Sequence, residues 1–134
     1  MARYLLDTNH LSPLVTIGHP LRELVLARHT NGDEFTVCVP VLVETIFGVS
    51  TLPRGKENRA EWERLKWRFP CILIDAEDAE IAADLRVTLR AQGKQLAALD
   101  ALIAVAALGH RLILLTTDRD FRAVPQLQIE NWLV

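Results

Sequence analysis

The chain is poor in cysteine, with only Cys38 and Cys71 among its 134 residues. They stand 33 positions apart, with no C-x-x-C pair and no histidine at a zinc-like offset, which argues against a disulfide framework and a structural zinc site. Both fall in apolar runs, TVCVPV and PCILID, where a reduced, buried thiol is expected. Long apolar runs are missing too. The longest, Ala101 to Leu108, falls far short of the roughly 18 residues that cross a bilayer. The N-terminal MARYLLDTNH lacks the extended apolar stretch of a signal peptide. No membrane association and a cytoplasmic location are therefore expected. Nor is there an excess of positive charge: 15 Lys and Arg face 17 Asp and Glu, for a net charge of -2 and a pI near 6.1. Domains that hold nucleic acid by bulk charge have a pI above about 9, so a polyanionic partner must be met by a local patch. Finally, no G-x-x-x-x-G-K-S/T, G-x-G-x-x-G or G-x-S-x-G occurs, which leaves nucleotide, dinucleotide and serine-hydrolase readings without an anchor.

Half the residues are hydrophobic, which excludes intrinsic disorder and allows one real core in a single domain spanning 1–134. Arg3 to Leu6 reads as a strand ended by Asp7-Thr8-Asn9, residues that prefer turns and helix caps. Pro20 to Arg28 has the pattern of an amphipathic helix, stopped by Asn31-Gly32. Phe35 to Val39 predicts a buried strand, and Pro40 opens a helix to about Val49. Beyond the loop Thr51 to Gly55, Lys56 to about Arg68 forms a charged helix with Trp62, Leu65 and Phe69 on one side. Cys71 to Ile74 is a third strand. Asp75 caps a helix from Ala76 to about Gln92, with Ile81, Leu85 and Leu89 at four-residue spacing and Gly93 as its stop. Leu99 to Leu108 is a further helix, Leu112 to Leu115 a fourth strand, and Leu127 to Ile129 a short fifth. This alternation predicts an α/β domain of three layers, α/β/α, around a parallel sheet of four to five strands. Ligands of such folds bind outside the carboxyl ends of the strands, where strand order reverses.

Four acids fall at such positions. Asp7 follows the first strand, Asp118 the fourth, Glu44 lies one turn into the helix after the second, and Asp100 opens the helix Leu99 to Leu108. Singly, each has an ordinary explanation as a cap, a turn residue or a complement to a helix dipole. Asp100, however, precedes eight residues without a polar side chain, and Glu44 sits in VPVLVETIFGV among apolar neighbours, where an unpaired carboxylate is expensive. Converging carboxylates without an interleaved base repel one another unless a cation joins them. Oxygen-only ligation suits a hard ion, Mg²⁺ or Mn²⁺, which keeps waters for a substrate phosphate. Asn9, Thr116 and Thr117 are placed to orient carboxylates or waters.

The four histidines, His10, His19, His29 and His110, lack metal-like spacing and read as ordinary surface residues, with His10 nearest the candidate site. Positive charge is local. Arg54 to Arg68 holds six basic residues against three acidic ones, and Arg86, Arg90 and Lys94 form one helical stripe that is a candidate for contacting the phosphates of an anionic polymer. Trp62 and Trp67 mark the helix Lys56 to Arg68, together with Pro20 to Arg28, as a candidate partner surface. With the four acids set aside, the chain has 13 acidic against 15 basic residues: an acidic pocket in a mildly basic body.

LLDTN at Leu5 to Asn9, the helical Glu44, DALIA at Asp100 to Ala104 and TTDRDF at Thr116 to Phe121 occur in this order and near these spacings. Together they resemble the PIN domain family, and within it the VapC toxins of toxin–antitoxin pairs, over essentially the whole chain. The resemblance implies a Rossmann-like sheet and a Mg²⁺- or Mn²⁺-dependent endoribonuclease. It also implies a homodimer inhibited by a small VapB-like antitoxin seated in the active-site groove. Asp7 and Asp100 match the family's principal metal ligands, Glu44 and Asp118 its other acidic positions, and Asp120 a further acid of the T-x-D-x-D-F motif. Two alternatives differ in class. One is a non-catalytic RNA-binding or adaptor domain on the same scaffold. The other is a receiver-type phosphoacceptor domain, which wants paired acids after its first strand and a late lysine, neither of which is present.

Overall fold

The computed structural model describes residues 1–133; Val134 lies outside the described residues. Strands β1 (Arg3–Leu6), β2 (Glu34–Cys38), β3 (Cys71–Ile72), β4 (Ile113–Leu115) and β5 (Ile129–Glu130) form one parallel sheet in the order β3-β2-β1-β4-β5. Leu5 and Leu6 are successive residues of the central strand, yet both are 0% exposed. Because neighbours on a strand point to opposite faces, both faces of the sheet are covered. The helices that cover it are α1 (Thr8–Leu11), α2 (Pro20–Thr30), α3 (Val39–Ser50), α4 (Gly55–Leu65), α5 (Ala76–Ala91) and α6 (Ala98–Gly109). Short 3₁₀ turns lie at Ser12–Val15, Lys66–Arg68 and Arg119–Ala123.

Local chemistry explains the boundaries. Asp75 accepts from Asp78 N–H while the Asp78 side chain accepts from Asp75 N–H, a capping box that starts α5. Gly93, at φ +75°, turns the chain out of that helix in a conformation that a β-carbon disfavours. Helix α6 carries an unbroken buried run from Ile103 to Ala107, as its apolar sequence predicts, and packs against α5. On α5 itself the buried residues are Ala82 and Leu89, whereas Ile81 of the expected stripe is exposed. The third strand is also shorter than expected. It stops at Ile72 because β3 is an edge strand paired only with β2, and this leaves Cys71 exposed while Cys38 is buried.

Strand order is the feature that positions function. The chain runs outward from β1 to β2 and β3, then crosses back to lay β4 on the other side of β1. The crevice outside the carboxyl ends of β1 and β4 is therefore the switch point where ligands bind in open α/β sheets. Receiver-type sheets have the order 2-1-3-4-5, so the phosphoacceptor alternative does not fit this topology.

Candidate active site

Asp7 is the first residue past β1, and its backbone N–H still donates to Leu115 O of β4 at 3.0 Å. Its side chain caps α1, accepting from Thr8 N–H at 2.8 Å. The other carboxylate oxygen accepts from Thr116 Oγ1 at 2.7 Å and from Asn9 Nδ2 at 3.4 Å. Burial raises the Asp7 pKa, and the Thr116 and Thr8 donors oppose the rise. Asp118, two residues past Thr116, presents its backbone N–H to Thr116 Oγ1 at 3.0 Å and caps the 3₁₀ turn by accepting from Asp120 N–H at 2.9 Å. One hydroxyl thus ties the carboxyl end of β1 to the segment that follows β4.

Glu44 joins from α3, where its Oε2 accepts from Thr8 Oγ1 at 3.3 Å. It is exposed rather than enclosed by its apolar sequence neighbours, because α3 buries Val41, Thr45 and Val49 and turns the side bearing Val43, Glu44 and Phe47 outward. Asp100 sits half-buried in the first turn of α6. Its pKa is pushed up to about 6, by burial first and then by Asp7, Asp118, Glu44 and Asp120. Those four neighbours are the acids that the sequence motifs single out, so the fold gathers all five into one electrostatic cluster. Among the described residues none of the five forms an ion pair with a lysine or arginine.

Two cavities open beside the cluster. One of about 690 Å³ is lined by Arg86, Arg90 and Lys94 together with Asp120. The second, of about 510 Å³, is lined by Thr116, Thr117 and Asp118 with Arg119, Arg122 and Asn131. The first brings Arg86 and Arg90 of α5 beside Asp120, together with Lys94, which lies past the end of α5 at Ala91 and so is not part of the expected helical stripe. Arg119 and Arg122 were not singled out by the sequence reading, although they flank Asp120 in the same DRDFR segment. In the Arg54 to Arg68 patch, by contrast, Arg54, Arg64 and Lys66 pair with Glu57, Glu61 and Glu63, while Lys56, Arg59 and Arg68 form no ion pair among the described residues. Its two tryptophans part company: Trp62 is buried in the core, and Trp67 is 71% exposed.

His10 departs most from the expectation of a surface histidine. It is 0% exposed, burial lowers its pKa to about 4, and both ring nitrogens are engaged, with Asn9 Oδ1 and with Trp132 N–H. Its position three residues beyond Asp7, in the short helix that Asp7 caps, is the signal that places it against the site.

Among the described residues no three His, Cys, Asp or Glu side chains close into a ready metal cage. The donor set nevertheless fits a hard divalent ion, since Mg²⁺ takes only one or two protein carboxylates and keeps its remaining waters. Burial and the neighbouring acids, which together lift Asp100, supply the electrostatic demand for such an ion.

Comparisons with known proteins agree with this fold. The family model described as the PIN domain matches residues 4–127. Ribonuclease VapC4 of Mycobacterium tuberculosis is 32% identical over 100 residues, which are 73% of this chain and 77% of that protein. Among solved structures, the VapBC2 complex of Rickettsia felis bound to promoter DNA has a TM-score of 0.82 at 24% identity, covering 97% of this chain and 98% of that one. FitAcB of Neisseria gonorrhoeae has a TM-score of 0.73 at 26% identity, covering 98% and 99%.

Proposed function

The chain belongs to the PIN domain family, and from that premise we propose that it is a metal-dependent endoribonuclease, the VapC-like toxin of a type II toxin–antitoxin pair. The observation that carries the proposal is the gathering of Asp7, Glu44, Asp100, Asp118 and Asp120 at the switch-point edge of the sheet, where burial first and then the other four acids raise Asp100 to about 6. Asp7 and Asp100 would hold Mg²⁺ or Mn²⁺, with Glu44 and Asp118 beside them. When bound, such an ion polarises the scissile phosphodiester and offsets the charge that builds during in-line displacement. Thr116 and Asn9 keep the Asp7 carboxylate in one orientation. Glu44 and Asp118 are the carboxylates available to orient an attacking water. Arg86, Arg90 and Lys94 take RNA phosphates in the cavity beside Asp120.

The proposal includes the homodimer, the small VapB-like antitoxin and the cytoplasmic setting. In its support, α3 exposes Val39, Val43 and Phe47 at four-residue spacing, and an exposed apolar row of this kind marks an interaction surface. No helix among the described residues is long and apolar enough to cross a membrane. Incubating purified protein with total RNA and Mg²⁺ or Mn²⁺ tests the enzymatic proposal. Metal-dependent cleavage that vanishes in Asp7→Ala and Asp100→Ala is expected, and cleavage surviving unchanged in both variants would overturn it. Intact RNA affinity without divalent-ion binding would favour the non-catalytic adaptor. Sizing chromatography with and without the product of a neighbouring small gene tests the partners, for which a purely monomeric profile in both runs counts against the proposal.

A further inference from the structure

Behind Asp7, a chain of polar groups has its direction set by backbone N–H groups, which can only donate. Trp132 N–H reaches His10 Nε2 at 3.0 Å. Nε2 must therefore be the bare nitrogen, and the neutral ring carries its proton on Nδ1. That proton faces Asn9 Oδ1, 2.7 Å away. Thr117 N–H donates to the same oxygen at 3.1 Å, and the two donors together fix the Asn9 amide. Its oxygen meets two donors, and Nδ2 is left for Asp7 Oδ2 and Thr116 Oγ1, each at 3.4 Å. Thr116 Oγ1 accepts from Asp118 N–H and Asn9 Nδ2, so its own proton goes to Asp7 Oδ2. Turning the Asn9 amide over would set its NH₂ group against Thr117 N–H.

We propose that His10 is a positioning residue for the nuclease site: it holds Asn9 from behind, aims the Asn9 amide at Asp7, and ties that aim to the C-terminal segment through Trp132. The far end of the relay is firmly seated. The Trp132 ring stands edge-on to Tyr4 of β1 and Phe35 of β2 at 4.9 and 5.8 Å, with the Arg28 guanidinium 4.9 Å from its centre. Burial keeps the His10 ring singly protonated across neutral pH, so the relay holds one direction there. An apolar side chain could fill the same buried space, but it would leave Trp132 N–H without its acceptor and Asn9 Oδ1 without one of its two donors.

Two amide variants separate positioning from packing. His10→Asn puts an amide nitrogen near the place of Nδ1 and gives up the acceptor for Trp132. His10→Gln puts an amide oxygen near the place of Nε2 and gives up the donor to Asn9. With folding checked by circular dichroism and thermal unfolding, His10→Gln is expected to lower kcat about tenfold at nearly unchanged KM, and His10→Asn to retain most of it. The kinetic arm rests on the ribonuclease reading, so a second readout stands apart from activity. The Asn9 side-chain NH₂ resonances, followed by NMR without metal, move in His10→Gln, where the Asn9 oxygen loses one of its two donors, and stay near their wild-type positions in His10→Asn. Wild-type kcat and wild-type Asn9 NH₂ resonances in both variants, or losses that only follow the unfolded fraction, would reduce His10 to a packing residue. Nitrogen NMR of the wild-type ring decides the matter even if both variants unfold: a proton on Nδ1 is expected, and one on Nε2 overturns the relay. A wild-type protein that cleaves no RNA would sink the ribonuclease reading and leave the Asn9 and ring-nitrogen NMR arms to stand by themselves.

Discussion

Glu61 on α4 and Asp100 on α6 are both carboxylates close to the body of the protein, and they are pulled in opposite directions. Glu61 accepts from Arg64 at 2.9 and 3.2 Å and from Arg22 at 2.6 Å, and those guanidinium groups hold it down to about 2. Asp100 faces burial and four further acids and rises to about 6. In the α4 region each of Glu57, Glu61 and Glu63 has a basic partner, whereas at the switch-point edge negative charge accumulates without one. The first arrangement supports the fold. The second destabilises it in the absence of a cation, which is how functional sites commonly differ from their scaffolds.

The sharpest way to break this comparison is activity. Asp7→Asn and Asp100→Asn are each expected to lower RNA cleavage by a hundredfold or more, beyond the roughly 10–100-fold that loss of an outer-shell partner costs. Glu61→Gln should leave turnover near wild type in the same assay, and a loss comparable to that of Asp100→Asn would erase the distinction between the two regions.

Thr116→Val comes next, since it removes the hydroxyl that serves Asp7, Asp118 and Asn9 together. Urea unfolding should register a loss of about 1–3 kcal/mol, the cost of leaving buried partners unsatisfied.

The pH dependence of stability sharpens the contrast further, because the two acids act with opposite sign. The lowered pKa of Glu61 stabilises the fold above its ordinary value of 4.5, and that contribution is lost as pH falls toward 2. Glu61→Gln should therefore cost about 1 kcal/mol at pH 7 and nothing near pH 2. The raised pKa of Asp100 makes its ionised form a burden on the metal-free fold, one that is full above pH 6 and disappears as pH falls below its ordinary 3.8. Asp100→Asn should raise Tm by a few degrees at pH 7 and by much less at pH 4, as scanning calorimetry without metal would record. The smallest effect is expected from Arg90→Ala. It should leave kcat intact and reduce the slope of log affinity for single-stranded RNA against log salt by about 0.7, one phosphate contact's share.

Much of this arrangement was legible along the chain. Asp7 and Asp118 each end an apolar run, and Asp100 precedes one, so their places at strand ends and a helix start follow from periodicity and capping alone. Glu44 was correctly put on a helix, but its exposure was not visible. Which side of a nearly all-apolar helix faces the core is settled by its neighbours, and α3 leaves Val43 and Phe47 outside with Glu44. Cys71 looked buried because its run is apolar, yet an edge strand covers only part of its residues. His10 stands out in the sequence as the histidine nearest the acids, but its burial is not visible there, because neither of its neighbours in sequence discloses that Trp132 lies against it.

The sequence by itself determined the alternation of strands and helices, the single core and the positions of the acids within each element. Those properties depend on side-chain period, turn chemistry and caps, which act over a few residues. Only the tertiary structure decided that β4 returns beside β1, so that Thr116 reaches Asp7 across 109 positions and Trp132 reaches His10 across 122. Such contacts arise when helices covering both faces of a sheet fix the order of its strands, and no local pattern carries that order.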